Sequence, residues 1–196
     1  VKKLTDEQKL ACFEWELLQM TQDYRETTRN FILKIIPDEF FFAPASSSGT
    51  HHPMCARGEG GLIIHTKRVC YFVHQFCEAL DFSKEDYSAM LMAAVLHDIG
   101  KKIKYKNGKE YENHPLTASE LVRQNTDLFV TKHPKEDAMK VADLIRTHMG
   151  RWGPPGHTNL NDFSLPQILL FLADFLASRK QCGTFIDDFK LPWEND

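Results

Sequence analysis

A chain of 196 residues with 42% apolar and 26% charged side chains has the make-up of one ordinary globular domain, which excludes the disordered and fibrous classes. Its formal net charge of −3 gives no general pull toward nucleic acid or anionic lipid, so an anionic substrate has to be held by local charge. Five cysteines (Cys12, Cys55, Cys70, Cys77, Cys182) with no metal-type pair fit a reducing compartment. With no visible signal peptide and no apolar run near the roughly 18 residues of a membrane span, the expectation is a cytoplasmic protein without a membrane partner.

Thr5-Asp6-Glu7-Gln8 reads as a capping box that opens a helix to about residue 20. A second helix, from about 21–23 to 36, is stopped by Pro37, and residues 1–37 are expected to form a helical hairpin packed on the rest. Phe40-Phe41-Phe42-Ala43-Pro44 leads into a loop over 45–60, a length that is uncommon inside a compact domain and often functional. Helices follow over 62–80 and 83–96, with His65 on the apolar stripe of the first. The stretch 103–111 alternates around Asn107-Gly108, the signal of a small β-hairpin. Further helices are expected over 115–124, 136–148 and 165–180, with a tail over 181–196 draped on the surface. The fold class is all-α with one small β-hairpin, a single domain over 1–196 with its core at about 40–180.

Two carboxylates stand out. His97-Asp98 ends the apolar run Met90-Leu91-Met92-Ala93-Ala94-Val95-Leu96 and is followed by Ile99-Gly100-Lys101-Lys102. Asp174 is the one charge in Ile168-Leu169-Leu170-Phe171-Leu172-Ala173-Asp174-Phe175-Leu176-Ala177, a segment expected to be buried on most sides. An ionised carboxylate among core residues needs a cation or a full set of hydrogen bonds. A salt bridge would satisfy Asp174, and so would a metal. Histidines on apolar helix faces, such as His65 and His148, are individually weak signals, as is His114 at a helix start. Their joint occurrence makes the inner helix faces meet at one polar point, and imidazole with carboxylate suits Mn, Fe, Ni or Zn.

His65, His97-Asp98 and Asp174 resemble the H…HD…D signature of the HD-domain superfamily, a bundle of helices around a metal site. The segments Gly60-Gly61-Leu62-Ile63-Ile64-His65-Thr66, Leu96-His97-Asp98-Ile99-Gly100-Lys101 and Leu172-Ala173-Asp174 carry the resemblance. His114 and His148 match the two extra histidines of its two-metal branch. The resemblance implies His65, His97, Asp98 and Asp174 on one divalent ion, with His114, His148 and a bridging Asp98 on a second. The approach Phe42-Ala43-Pro44-Ala45…His51-His52…Gly60-Gly61-Leu62 also resembles small phage and bacterial HD proteins and, more distantly, the HD domain of 3′→5′ exoribonucleases. The latter carry an OB domain for which this chain is expected to have no room.

The activity implied is a phosphohydrolase or phosphodiesterase, because two metals roughly 3.5–4 Å apart can hold a hydroxide and clamp both oxygens of a displacement at phosphorus. Asp98 and Lys101 would be catalytic, Lys101 as a fixed charge for a phosphoryl oxygen. His52, Arg57, Arg151 and Trp152, together with Lys101, are the candidate substrate-binding residues, Trp152 for stacking a base and the arginines for phosphate. Arg179 reads as a salt-bridge partner at the bundle end. The expected partner is a nucleotide, cyclic nucleotide or short oligonucleotide, with short single-stranded nucleic acid and a homo-oligomer left open. Three other readings stand beside this one: a mixed-valent diiron oxygenase that cleaves a C–C or C–P bond, 3′→5′ exoribonuclease-like activity on RNA, and a non-catalytic module that binds a nucleotide without turnover.

Overall fold

The computed structural model describes residues 3–45, 52–102, 113–154 and 157–194, with Lys102 described in its backbone alone. The main helices are α1 (Asp6–Ala11), α2 (Glu14–Gln19), α3 (Gln22–Lys34), α4 (Asp38–Phe42), α5 (Gly61–Ala79), α6 (Lys84–Leu96), α7 (His114–Gln124), α8 (Pro134–Thr147) and α9 (Leu165–Ala177), joined by short 3-10 turns. No strand occurs among the described residues, and the fold is all-α. The hairpin expected over 103–111 and the expected surface residue His51 lie outside the described residues. No described helix is long and apolar enough to cross a membrane.

The helix starts follow local rules. Thr5 and Gln8 form the anticipated capping box on α1, and Ser164 and Gln167 form another on α9. The Ser83 hydroxyl accepts from the Asp86 amide at the start of α6. The single helix expected up to residue 20 is instead two, because the backbone turns at Phe13 (φ −126°, ψ 21°) and drives that ring fully into the core. The turn leaves carbonyls to be satisfied from elsewhere. Lys67 Nζ takes the Cys12 carbonyl at 2.9 Å, and the Arg25 guanidinium takes those of Leu17, Leu18 and Met20 at the end of α2.

Helix α6 is the centre of the core: Met90 to Leu96 are at most 1% exposed. It lies between α5 and α8; α9 packs along α5, and α7 packs along α8. The long loop is pinned where it enters α5. Leu62 N donates to Ala43 O at 2.8 Å and Ala45 N to Ala56 O at 3.0 Å. A Cβ at position 61 would come within 2.2 Å of Ala56 O, so Gly61 is what lets loop and helix meet.

Two adjacent cations on α5 are buried, an unusual placement for either residue type. Lys67 is 3% exposed and lies 2.9 Å from each carboxylate oxygen of the fully buried Glu16 on α2. Arg68 has no exposure and faces the other chain end. It donates to the carbonyls of Ala177, Arg179 and Cys182 and pairs with Asp187. The tail is therefore tied in, with Ile186 and Leu191 buried against the core, in place of the surface drape expected. The final helix also ends at Ala177, three residues short of expectation, where Arg68 receives its last carbonyl.

Burial pushes the Glu16 carboxyl up in spite of Lys67 beside it, the sign of a pair whose desolvation is only partly recovered. Lys67→Met alone leaves a buried carboxylate unpaired and is expected to cost about 3–5 kcal/mol in urea unfolding, whereas Glu16→Leu with Lys67→Met recovers most of that loss. Equal destabilisation by the single and double variants would contradict this account.

Candidate metal centre

The six residues singled out as ligands sit at positions where helices start, stop or cross. His65 lies in the second turn of α5; His97 is the residue that caps α6, with Asp98 next to it. His114 opens α7 and His148 caps α8. Asp174 lies one turn before the end of α9. Gly100 lets α7 start against the turn after Asp98, since a Cβ there would lie 2.6 Å from the His114 carbonyl oxygen.

Asp98 is fully buried and its two oxygens face different partners. Oδ2 lies 3.1 Å from His97 Nε2 and 3.6 Å from His65 Nε2, and it pairs with Lys101 Nζ. Oδ1 lies 3.1 Å from His114 Nε2 and 3.7 Å from His148 Nε2. Asp174 Oδ1 joins the first group, 3.0 Å from His65 Nε2 and 3.9 Å from His97 Nε2. Neither lysine nor arginine pairs with Asp174 among the described residues, so the salt bridge weighed for it from sequence is not what holds it. Its side chain is 21% exposed because it faces a cavity, so α9 is less enclosed than its apolar run suggested.

The donor set fits a metal. His65, His97 and Asp98 form one cluster of ligand atoms, and Asp98, His114 and His148 form another, all within coordinating reach of each other. His65 Nε2, His97 Nε2 and Asp98 Oδ1 are buried without a hydrogen-bond partner, which is costly for polar atoms unless a cation completes them. The far nitrogens of two rings are fixed: His97 Nδ1 meets the Ala94 carbonyl and His148 Nδ1 the Ile145 carbonyl, each at 2.7 Å. Each ring thereby turns its Nε2 lone pair inward, the arrangement that prepares a histidine for ligation.

The electrostatics keep both carboxylates ionised and pull the buried imidazoles in opposite directions. Burial, helped by His97 and His114, pushes His148 down to about 3; burial likewise lowers His65. Burial works against the charge on Asp98, but His97 and Lys101 hold that carboxyl well below its usual range. For His97 burial is outweighed by the Asp98 charge, and its pKa is raised.

A cavity of about 250 Å³ opens over this centre. Asp174 and His114 form part of its floor, and Lys101 and His52 part of its wall. The His52 ring lies 5.1 Å from that of His65, and burial, with His65 and Lys101 nearby, lowers it to about 4. Arg57 donates to the His52 carbonyl at 2.9 Å and so braces the loop from behind, outside the cavity lining. Trp152 lines the cavity, 55% exposed, with its ring stacked on Phe175 at 5.6 Å and 3°. Arg151 is exposed, with its guanidinium 5.8 Å from the Trp152 ring.

Arg179 departs from the salt-bridge role expected of it. It makes no ion pair among the described residues; its guanidinium lies 4.1 Å over the Phe175 ring and lines the cavity. Phe175, four residues before it, is the one signal in the sequence for a stacked arginine.

Acid should destabilise the metal-free protein. Unfolded histidine titrates near 6.5, so between about pH 6.5 and 3 the unfolded chain binds a proton that folded His148 refuses. His65 and His52 act in the same direction and His97 in the opposite one. Urea-unfolding stability is expected to fall from pH 7.5 to 5, by at most about 1.4 kcal/mol per pH unit for each net proton. A stability that stays level or rises over this range would refute the protonation pattern described.

A model of the HD domain family matches residues 62–179, which take in all six of these side chains. No curated protein and no solved structure gives a significant match. With a family model spanning more than half of the chain, the protein belongs to the HD domain family.

Proposed function

We propose that this protein is a metal-dependent phosphohydrolase acting on a small nucleotide-type substrate. The observation that carries the reading is the division of Asp98 between two histidine groups, Oδ2 toward His65 and His97 and Oδ1 toward His114 and His148. Two divalent ions, Mn, Fe, Ni or Zn, would be held by these residues with Asp174, and when bound they supply a nucleophile and charge neutralisation for displacement at phosphorus.

The remaining roles belong to the chain. Asp98, held ionised by His97 and Lys101, fixes the two groups relative to each other. Lys101 stands between Asp98 and the cavity and offers a fixed positive charge to a phosphoryl oxygen. Neutral His52, also on the wall, can exchange a proton with the substrate through its ring. Trp152, parallel to Phe175 and open to solvent, presents a face for a base. A cavity of about 250 Å³ lies just below the roughly 300–1,000 Å³ of small-molecule sites, which favours one nucleotide unit over an enclosed polymer.

The test is hydrolysis by protein loaded in turn with Mn, Fe, Ni or Zn. The panel contains a generic phosphodiester, nucleoside mono- and triphosphates, cyclic and linear dinucleotides, and short RNA. Turnover of a phosphoester is expected, abolished by Asp98→Ala and reduced about 10²–10³-fold in kcat by Lys101→Met. Silence across the panel with metal bound, together with oxygen uptake, would transfer the protein to the dioxygen-using class. Trp152→Ala is expected to raise KM for nucleotide substrates roughly tenfold with little change in kcat, as the loss of a stacking face requires. An unchanged KM would remove Trp152 from substrate recognition.

A further inference from the structure

Trp152 and Arg179 both lie against the Phe175 ring at one side of the cavity. Trp152 lies parallel to Phe175 at 5.6 Å, and the Arg179 guanidinium lies over Phe175 at 4.1 Å. All three residues line the cavity. Arg179 Nε is buried without a hydrogen-bond partner, and Arg179 forms no ion pair with any carboxylate among the described residues, Asp174 included. A guanidinium with an aromatic base and no counter-charge is a prepared donor fork, because little side-chain freedom remains to be lost when an anion arrives.

Its place is distinct from that of the other cavity cation. Lys101 is already paired with Asp98, next to the metal-ligand residues. Arg179 lies beyond the end of α9, with its guanidinium on the Phe175 ring and in no ion pair with Asp98 or Asp174. The two cations are therefore held by different partners, Lys101 by Asp98 and Arg179 by Phe175.

We propose that Arg179 is a specificity-determining residue that takes a second anionic group of the substrate, so that the site favours nucleotides with two separated phosphoryl groups over nucleoside monophosphates. This rests on the phosphohydrolase reading for the site's chemistry, but the binding of a second phosphate by Arg179 can be measured without turnover.

The experiment is calorimetric titration of the full chain loaded with Mn, using hydrolysis-resistant phosphorothioate analogues of adenosine 3′,5′-bisphosphate and adenosine 5′-monophosphate, and adenosine. It uses the wild type, Arg179→Gln and Arg179→Lys. The wild type is expected to bind the bisphosphate at least tenfold tighter than the monophosphate. Arg179→Gln should lose that preference with monophosphate binding changed less than threefold, and Arg179→Lys should retain part of it, since charge remains and the planar fork is lost. Equal weakening of both ligands by Arg179→Gln, or a preference that survives it, overturns the proposal. Should Arg179→Gln fail to fold, as judged by circular dichroism, Arg179→Lys decides alone: an undiminished preference counts against the fork. Hydrolysis of the generic phosphodiester by the metal-loaded wild type is run alongside. Silence there and across the rest of the substrate panel would remove the phosphohydrolase reading while leaving a measured Arg179 preference intact, and turnover with no Arg179 effect would do the reverse.

Discussion

A carboxylate with no access to solvent sets the terms for this molecule. Asp98 cannot remain ionised in an apolar core unless positive or donor groups reach it, and the chain brings five: His65, His97, Lys101, His114 and His148. They come from four helices and the turn after α6. The bundle must therefore place helix ends, and not only apolar stripes, at one point. The caps at His97 and His148 are two uses of the same device, a helix whose last turn hands a backbone carbonyl to Nδ1 and frees Nε2.

Helix α5 is the hub for the other connections. Successive residues on a helix point about 100° apart, so His65, Lys67 and Arg68 leave the helix in three directions. His65 goes to the polar centre, Lys67 to Glu16 and the Cys12 carbonyl at the N-terminal helices, and Arg68 to the chain segment after α9. The site is thus fastened from both ends of the chain through a single turn of one helix. The fully buried stretch from Gly61 to Cys70 is the packing counterpart of that arrangement.

Much of this could be read from sequence, and the reason differs by residue. His97-Asp98 closing an apolar run and Asp174 inside another are legible because a charge among core residues violates the local pattern. The helix termini near Ser83 and Ser164 are legible because caps are local chemistry. The break at Phe13 is not, since the group that takes the Cys12 carbonyl is 55 residues away. Arg68 is opaque for the same reason, since nothing adjacent says that it closes three carbonyls, whereas Arg179 has its aromatic partner Phe175 one helical turn before it. The bond from Arg57 to the backbone of its own loop is likewise not visible in the sequence.

The placement of these side chains at helix ends has a consequence for what the fold tolerates. His65 and Asp174 are 109 positions apart, yet the entropy of closing a loop grows only with the logarithm of its length, by about 0.6 kcal/mol per doubling. Insertions in the connections between helices are therefore weakly penalised, whereas a shift of one residue at a cap rotates a ligand by about 100° and removes it from Asp98. Spacing within Leu96-His97-Asp98 or at His148 is rigid, and spacing between them is elastic. A scaffold of this kind can lengthen or exchange the loops that shape its cavity while the centre beneath them stays fixed.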